Sequence, residues 1–536
     1  MKRGSLVRIL CAVILVTNSF AARKKFDSSL PSTDISAPSN RMYASLSNSR
    51  NSSSSLILGG PGTPDSWNGG SGNWSNPGNW NNGTPGASSD VTIYSGGSDY
   101  VTLDTSPTIN SLTIGGAPNG TQSELTDGGI TQTLTITNDL TINRTGSLSL
   151  TRGSIVSVGT DSTNTGSIQL SNGSTLSING TLSNAESLST GYIGGGSGGN
   201  IVNIIGALTN AGSIVMYGSG DVATVGGLSN SGVVDVDGST LQINGDVNNL
   251  AGTIITGLRG GSGSVLNIAG DLNNSGDFFL SGKGSTATIR GDVINTAGTV
   301  GIDYSGGIEL ENGSALTING NVIKPGEMGA NFNSGFGGNT LNITGTLTNE
   351  SAFELEAFGD AATIGGLTNS VNALVKIESG STLQINGAVD NYGTINIDSL
   401  SKFMVGIGNP AGLGYIQLAN GTLGEIISAT NFGVINVNGS ALLAGTLDIL
   451  LQGGMSSGYL QTVSCRGDAE AVQFCSIIAN GHSQTFSAVE TAWRREVDSN
   501  FEYSFGLCAN VPCVSELYPV SFWKRALQRN NLGSTT

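Results

Sequence analysis

Charge is what this chain has least of. Asp, Glu, Lys and Arg make up 11% of its 536 residues, under half the usual share. The 22 Lys and Arg are outnumbered by 38 Asp and Glu, for a net charge of −16. Six of the bases lie in residues 1–25, ten in 26–460 and six in 461–536, so no basic stripe exists. Nucleic-acid binding rests on Lys and Arg neutralising phosphates, and no nucleic-acid partner is expected. Histidine is nearly missing, with His482 the single example. That excludes a Ser-His-Asp triad or a His-based metal site over most of the chain. Aromatics are 6%, and none of the five Trp lies between Ala117 and Leu460. No 3.6-residue period persists over that stretch, which excludes a helical array.

What is present is repetition. The stretch Gly206–Asn230 recurs as Gly345–Asn369 with 12 of 25 positions identical, and Gly238–Asn249 recurs as Gly380–Asn391 with 10 of 12. The copies lie 139 to 142 residues apart. Inside this long repeat is a shorter kernel, apolar-x-Ile/Val-x-Gly-x-Leu/Val-x-Asn, as at Leu241–Asn249, Leu266–Asn274 and Leu383–Asn391. Ala223–Asn230 and Ala362–Asn369 are the same kernel one residue shorter. The kernel glycines, from Gly180 to Gly387, are spaced 23 residues apart on average.

Apolar and polar residues alternate within each kernel, the mark of strands with one buried face. Gly and Asn close the runs as residues that accept the positive φ of a sharp corner. A fixed short period built from such strands predicts an all-β fold, a parallel β-helix (β-solenoid). Roughly 15 coils stacked about 4.8 Å apart give a rod of about 70 Å. Aliphatic ladders fill the core, and Asn of one coil stacks on Asn of the next, amide to amide. A β-propeller is the alternative, but its blades need about 40 to 50 residues and a regular aromatic signature.

In chain order, residues 1–21 read as an export signal. Lys2, Arg3 and Arg8 precede the apolar Ile9–Val16, and Ser19-Phe20-Ala21 forms a small-x-small cleavage site. The apolar run is too short to cross a bilayer about 30 Å thick, so no integral membrane segment is expected after signal removal. Residues 22–65 are a Ser-rich, disordered linker. Residues 66–116 form a cap, with Trp67, Trp74 and Trp80 packed into 14 residues to cover the open end of the rod. The competing reading is a sugar-stacking platform. Residues 117–460 are the solenoid array. Residues 461–536 hold four of the five cysteines. In an oxidising compartment Cys465, Cys475, Cys508 and Cys513 form two disulfides, with three possible pairings. The alternative is a poorly folded tail.

The opening Trp67-Asn-Gly-Gly-Ser-Gly-Asn-Trp74-Ser, Asn79-Trp80-Asn-Asn-Gly-Thr-Pro85 and Leu112-Thr-Ile-Gly resembles that of bacterial autotransporter passengers and autotransporter-associated β-strand repeat proteins. The array, and Gly433-Val-Ile-Asn-Val-Asn-Gly-Ser-Ala-Leu-Leu-Ala-Gly-Thr-Leu-Asp-Ile449, are similar to their parallel β-helix. The resemblance covers about residues 66–450 and implies a secreted or surface role, often adhesion. One departure is plain: residues 461–536 are too short for the membrane barrel that closes such chains.

Few residues invite chemistry, and no catalytic, cofactor-binding or metal-ligating residue is expected. Asp235 and Asp237 could share a strand face as a carboxylate pair for glycoside cleavage, or be a solvated strand end. Gly260-Gly-Ser-Gly and Gly337-Gly-Asn-Thr only partly match calcium-binding nonapeptides. Arg466-Gly467-Asp468 matches a short integrin-binding tripeptide. Asn76-Pro77-Gly78 reads as a turn. The expectation is therefore a non-enzymatic, extracellular rod in adhesion or matrix. It would bind host or environmental glycans or proteins along one face through Thr, Ser and Asn, with self-association open to it. A polysaccharide-active enzyme and a passive spacer are the alternatives.

Overall fold

Thr240-Leu241-Gln242-Ile243 shows how one coil begins. Leu241 and Ile243 point inward and are buried, while Thr240 and Gln242 face out. Gly245 turns the corner into Val247–Asn249, and a second corner leads to Thr253–Thr256. These three strands define three faces. Each pairs with its counterparts one coil before and one coil after: Thr240–Ile243 with Val222–Val225 and Val265–Ile268, and Val247–Asn249 with Leu228–Asn230 and Leu272–Asn274. Thr253–Thr256 lies between Val233–Val236 and Asp277–Leu280. Among the described residues, every strand pairing within residues 200–400 is parallel.

The computed structural model describes residues 62–509, apart from 117–119, 192–197, 259–260, 297–306, 325, 331–336, 407–412, 428–432, 439, 452–457, 467–470, 473–475, 480–481, 484–492 and 498–499; from residue 449 only the backbone is described. It is an all-β parallel solenoid of about 16 turns. The only helix among the described residues is the single 3₁₀ turn Pro77–Asn79. There Asn76 Oδ1 accepts the Gly78 N–H at 3.0 Å, so Asn-Pro-Gly forms a turn. The expected signal at 1–21 falls outside the described residues, as does nearly all of the linker at 22–65.

The core is a narrow prism of Ile, Leu and Val. Leu176, Ile178, Leu241, Ile243, Leu316 and Ile318 are among the residues almost wholly removed from water. Against the corner of the second and third faces, the kernel asparagines line up inside. Asn164 Nδ2 donates to Asn184 Oδ1 at 2.7 Å, Asn184 to Asn210 at 2.7 Å and Asn210 to Asn230 at 2.8 Å. The chain continues through Asn249, Asn274 and Asn295. It resumes from Asn349 through Asn369 to Asn391. Amide-to-amide stacking is thus the inner spine of the rod, as the kernel predicts.

The corner glycines do two different jobs, which corrects the single reason expected for them. Kernel glycines are not in the left-handed region. A Cβ on Gly245 would lie 2.5 Å from the Gly226 carbonyl oxygen, so glycine is needed for close approach of stacked backbones. Positive φ falls instead at the corner returning from the third face to the first, as at Gly173 (79°) and Gly313 (72°), each preceded by a left-handed Asn172 or Asn312.

The long repeat has a structural meaning. In Ile201–Asn210, Val222–Asn230, Thr340–Asn349 and Ala361–Asn369 the first corner is straightened, so two faces merge into one strand of 9 or 10 residues. The shortened kernels, Ala223–Asn230 and Ala362–Asn369, lie in these coils. Pairing against a shorter neighbour shifts the register between Ile204 and Ala207, and between Ile343 and Thr346.

Coil geometry extends beyond the array expected at 117–460. Thr63–Ser66 already pairs in parallel with Ser89–Ile93, and Thr446–Ile449 still pairs in parallel with Ser476–Ala479. Both ends are closed by antiparallel chain. At the start, Asn81 N–H donates to the Ser66 carbonyl and Asn68 N–H to the Asn79 carbonyl, folding residues 79–81 back over the exposed edge. Trp67, Trp74 and Trp80 pack there edge to face, with centroids 5.0 Å and 4.8 Å apart. All three are at most 3% exposed, which leaves no indole face for a sugar and overturns the stacking-platform alternative. At the other end, Asn500–Ala509 runs antiparallel to Gly458–Arg466, and Trp493–Val497 adds to it.

Candidate functional site

The middle outward residues of the first face form a regular row along the rod. The middle outward position of each strand stacks from Thr135 through Ser177, Thr224, Asn267 and Thr317 to Gln384. Every rung is Ser, Thr, Asn or Gln, and Met404 ends the series. All are partly exposed. The second face continues the polar surface from Thr141 through Ser183 and Ser229 to Asn273. Ile294 and Ile323, 40% and 46% exposed, break it there. A coil repeat of about 4.8 Å therefore presents hydroxyls and amides as an evenly ruled, uncharged row, beside an outward row that mixes Thr with the exposed Ile155, Ile201 and Val222. Hydroxyls and amides both donate and accept, and so suit hydroxyl-rich or main-chain ligands.

The third face is different. Val215, Asp235, Ile255 and Glu309 occupy its outward row but are buried. Further along, Lys376 Nζ bonds Glu356 Oε1 at 2.8 Å and Glu378 Oε2 at 3.1 Å. Burial works against the Lys376 charge, but these hydrogen bonds and carboxylates outweigh it and hold its pKa above the usual lysine value. Neighbouring Glu354 is pushed up to about 7, first by burial and then by the Glu356 charge.

The residues picked out from sequence scatter. Asp235 lies in the strand Val233–Val236 and Asp237 just beyond it; both are buried, so neither reading of them as an exposed pair or a solvated end describes them. Asp237 Oδ1 accepts the Gly261 N–H at 3.1 Å, a corner-bracing role. Asn339, in the second calcium-like segment, donates its backbone and side-chain N–H groups to Asp360 Oδ1, each at 3.0 Å. Gly260 lies outside the described residues. No group of three or more metal-ligating side chains gathers among the described residues. Arg466 ends a strand, while Gly467 and Asp468 lie outside the described residues. So do Cys475 and Cys513. Cys465 and Cys508 fall on paired strands, opposite Tyr503 and Tyr459 respectively. That register separates them by about 17 Å along the strand, whereas a disulfide needs Cα atoms within about 7 Å. A Cys465–Cys508 bridge is incompatible with it.

Two interior residues escaped the sequence reading. Lys324 stands where the kernel has Asn, in Val322-Ile323-Lys324, and is fully buried. Glu425 points into the core, in register between Ile397 and Ile449. It is 2% exposed, and its carboxylate makes no hydrogen bond among the described residues. Both were visible as misfits: one breaks the Asn column, the other puts a charge at an inward position of the alternation.

Burial pushes the Glu425 carboxyl up to about 8. Its folded pKa exceeds the unfolded value of 4.5, so folding favours the protonated form. The associated stability is full below the unfolded pKa and is lost as pH rises through about 8. Glu425→Gln should therefore stabilise the C-terminal coils at pH above 8 by on the order of 3 kcal/mol, with little effect in acid. Hydrogen exchange of Thr394–Ile397 and Thr422–Ile427 across that range measures it. Equal protection of both proteins at high pH would count against an ionisable group in the core.

A void of about 20 Å³ lies inside the core, lined by Leu208, Met216, Leu228 and Leu241. Its apolar lining makes it a packing defect, not a ligand site. An open groove of about 590 Å³ lies along the start of the third face beside Arg144, Ser147, Ser167 and Glu186. No helix among the described residues is long and apolar enough to cross a membrane. Comparison of the chain with protein-family models, with curated proteins and with solved structures finds no match in any of the three.

Proposed function

We propose that this chain is an exported, cell-surface or extracellular rod that works in adhesion or in a matrix, as a binder and not a catalyst. One observation carries the reading: the in-register row of Ser, Thr, Asn and Gln from Thr135 to Gln384, which no charge interrupts. Binding along it is distributed and individually weak, and many hydrogen bonds to an extended glycan or protein ligand add up. The export signal at 1–21 and the resemblance of residues 66–450 to autotransporter passengers support a place outside the cell.

The test is binding of the purified full chain to a glycan array and to insoluble polysaccharides in co-sedimentation. A triple variant, Thr224→Lys, Gln242→Lys and Asn267→Lys, puts charge into the row without touching the core. It should bind at least about tenfold more weakly, roughly 1.4 kcal/mol, while unfolding as the parent does. Binding that survives the three lysines would move the site off this face. No binding to any glycan or surface protein would leave a passive spacer.

A further inference from the structure

The asparagine column has one foreign rung. Lys324 pairs in register with Asn349 of the next coil, and its side chain enters the column from within. Its Nζ donates to Asn349 Oδ1 at 3.0 Å and also to the Ala352 carbonyl. On the preceding coil, Asn295 Nδ2 donates instead to the Glu327 carbonyl at 2.9 Å. Asn349 is itself clamped: its Nδ2 donates to Asn369 Oδ1 at 2.8 Å and to the Leu374 carbonyl at 2.9 Å. The amine and the carboxamide are thus both buried, in contact and fixed in orientation.

An ammonium brings three N–H donors, and among the described residues two acceptors meet them. A buried charge without full pairing is strongly disfavoured. Burial accordingly pulls the Lys324 amine down to about 7, although Glu327 and Glu354 favour its charged form. In the neutral form the amine carries a lone pair and is a nucleophile.

We propose that Lys324 and Asn349 are a covalent modification site, joining through an intramolecular isopeptide bond. Nζ attacks Asn349 Cγ, the carbon one bond beyond the oxygen it already touches. The Nζ–Cγ bond forms and the Cγ–Nδ2 bond breaks. Nδ2 leaves as ammonia, carrying one of the two Nζ protons, and no oxidant or cofactor is consumed. The product amide keeps an N–H to donate to Ala352 and an oxygen in place of Oδ1. Fixed contact between reactants raises the rate as a high effective concentration does. The product staples two adjacent coils across the one place where the column is not made of asparagine.

Peptide mass spectrometry of the full-length folded chain tests this, after incubation at mildly alkaline pH, denaturation and digestion with a glutamate-specific protease, which cuts after Glu327 and Glu350 and so parts Lys324 from Asn349. The expected product is a linked pair of peptides, Asn312–Glu327 carrying Lys324 and Met328–Glu350 carrying Asn349, lighter than their sum by one ammonia. Asn349→Asp should give a link lighter by one water, and Lys324→Arg should abolish it. Recovery of Lys324 and Asn349 from the parent protein only in separate, unmodified peptides would overturn the proposal and leave a hydrogen-bonded rung. That result needs no variant to fold.

Discussion

Asn230→Ala should destabilise the central coils by about 3 kcal/mol, the sum of two or three buried polar groups left unpaired. Asn230 Oδ1 accepts from Asn210 Nδ2 at 2.8 Å and from the Gly232 N–H at 3.3 Å. Its Nδ2 donates to Asn249 Oδ1 at 2.9 Å and to the Thr253 carbonyl at 3.3 Å. With the Nδ2 bond to the Gly232 carbonyl at 3.2 Å, alanine removes all five at once, in a column closed to water. The matched control is Asn273→Ala. That residue donates to Asn248 at 3.0 Å on the outer surface, where substitutions change stability by about 0.5 kcal/mol or less. Stacked coils respond locally, so hydrogen exchange of Ser213–Met216 and Val233–Val236 is the proper readout. Similar protection in both variants would show that the amide column is a by-product of stacking and not a source of stability.

Trp74→Ala should remove about 4 kcal/mol from the first coils, in the range for deleting a large buried aromatic. Trp74 is wholly buried, touches Trp80 edge to face, and its carbonyl receives the Trp80 indole N–H at 2.8 Å. Its loss also frees the folded-back residues 79–81 from the edge strand Thr63–Ser66. An uncovered parallel edge recruits other chains. The variant should therefore lose protection over residues 63–114 and self-associate with rising concentration in sedimentation. A variant that stays monomeric with full protection would mean that the antiparallel flap alone closes the end.

Much of this architecture was legible beforehand, because alternation along a strand and a fixed period are local properties. Leu241, Ile243 and Asn249 are placed inward by the kernel alone, and the structure puts them there. The stacking of asparagines follows from the same spacing. The reason for the kernel glycines was not legible, since contact with the coil beneath is a tertiary fact: nothing in the sequence around Gly245 names the Gly226 carbonyl. The bounds of the coiled array were drawn too narrowly for a related reason. Residues 63–114 carry different side chains from the kernel yet wind in the same way, because backbone pairing does not require the kernel's own residues. The surface was readable only as composition. Which polar residues share a row depends on register, and register appears only when coils of 18 to 29 residues are superposed.

The inner amides all face one way. From Asn164 to Asn295, and again from Asn349 to Asn391, nitrogen is turned toward the later coil and oxygen toward the earlier one. Their dipoles add, and each bond polarises the next. The rod is thus a directional object whose two broken ends are chemically unlike, one offering acceptors and the other donors. Sheared pieces would rejoin nose to tail, giving open filaments in preference to closed two-fold pairs.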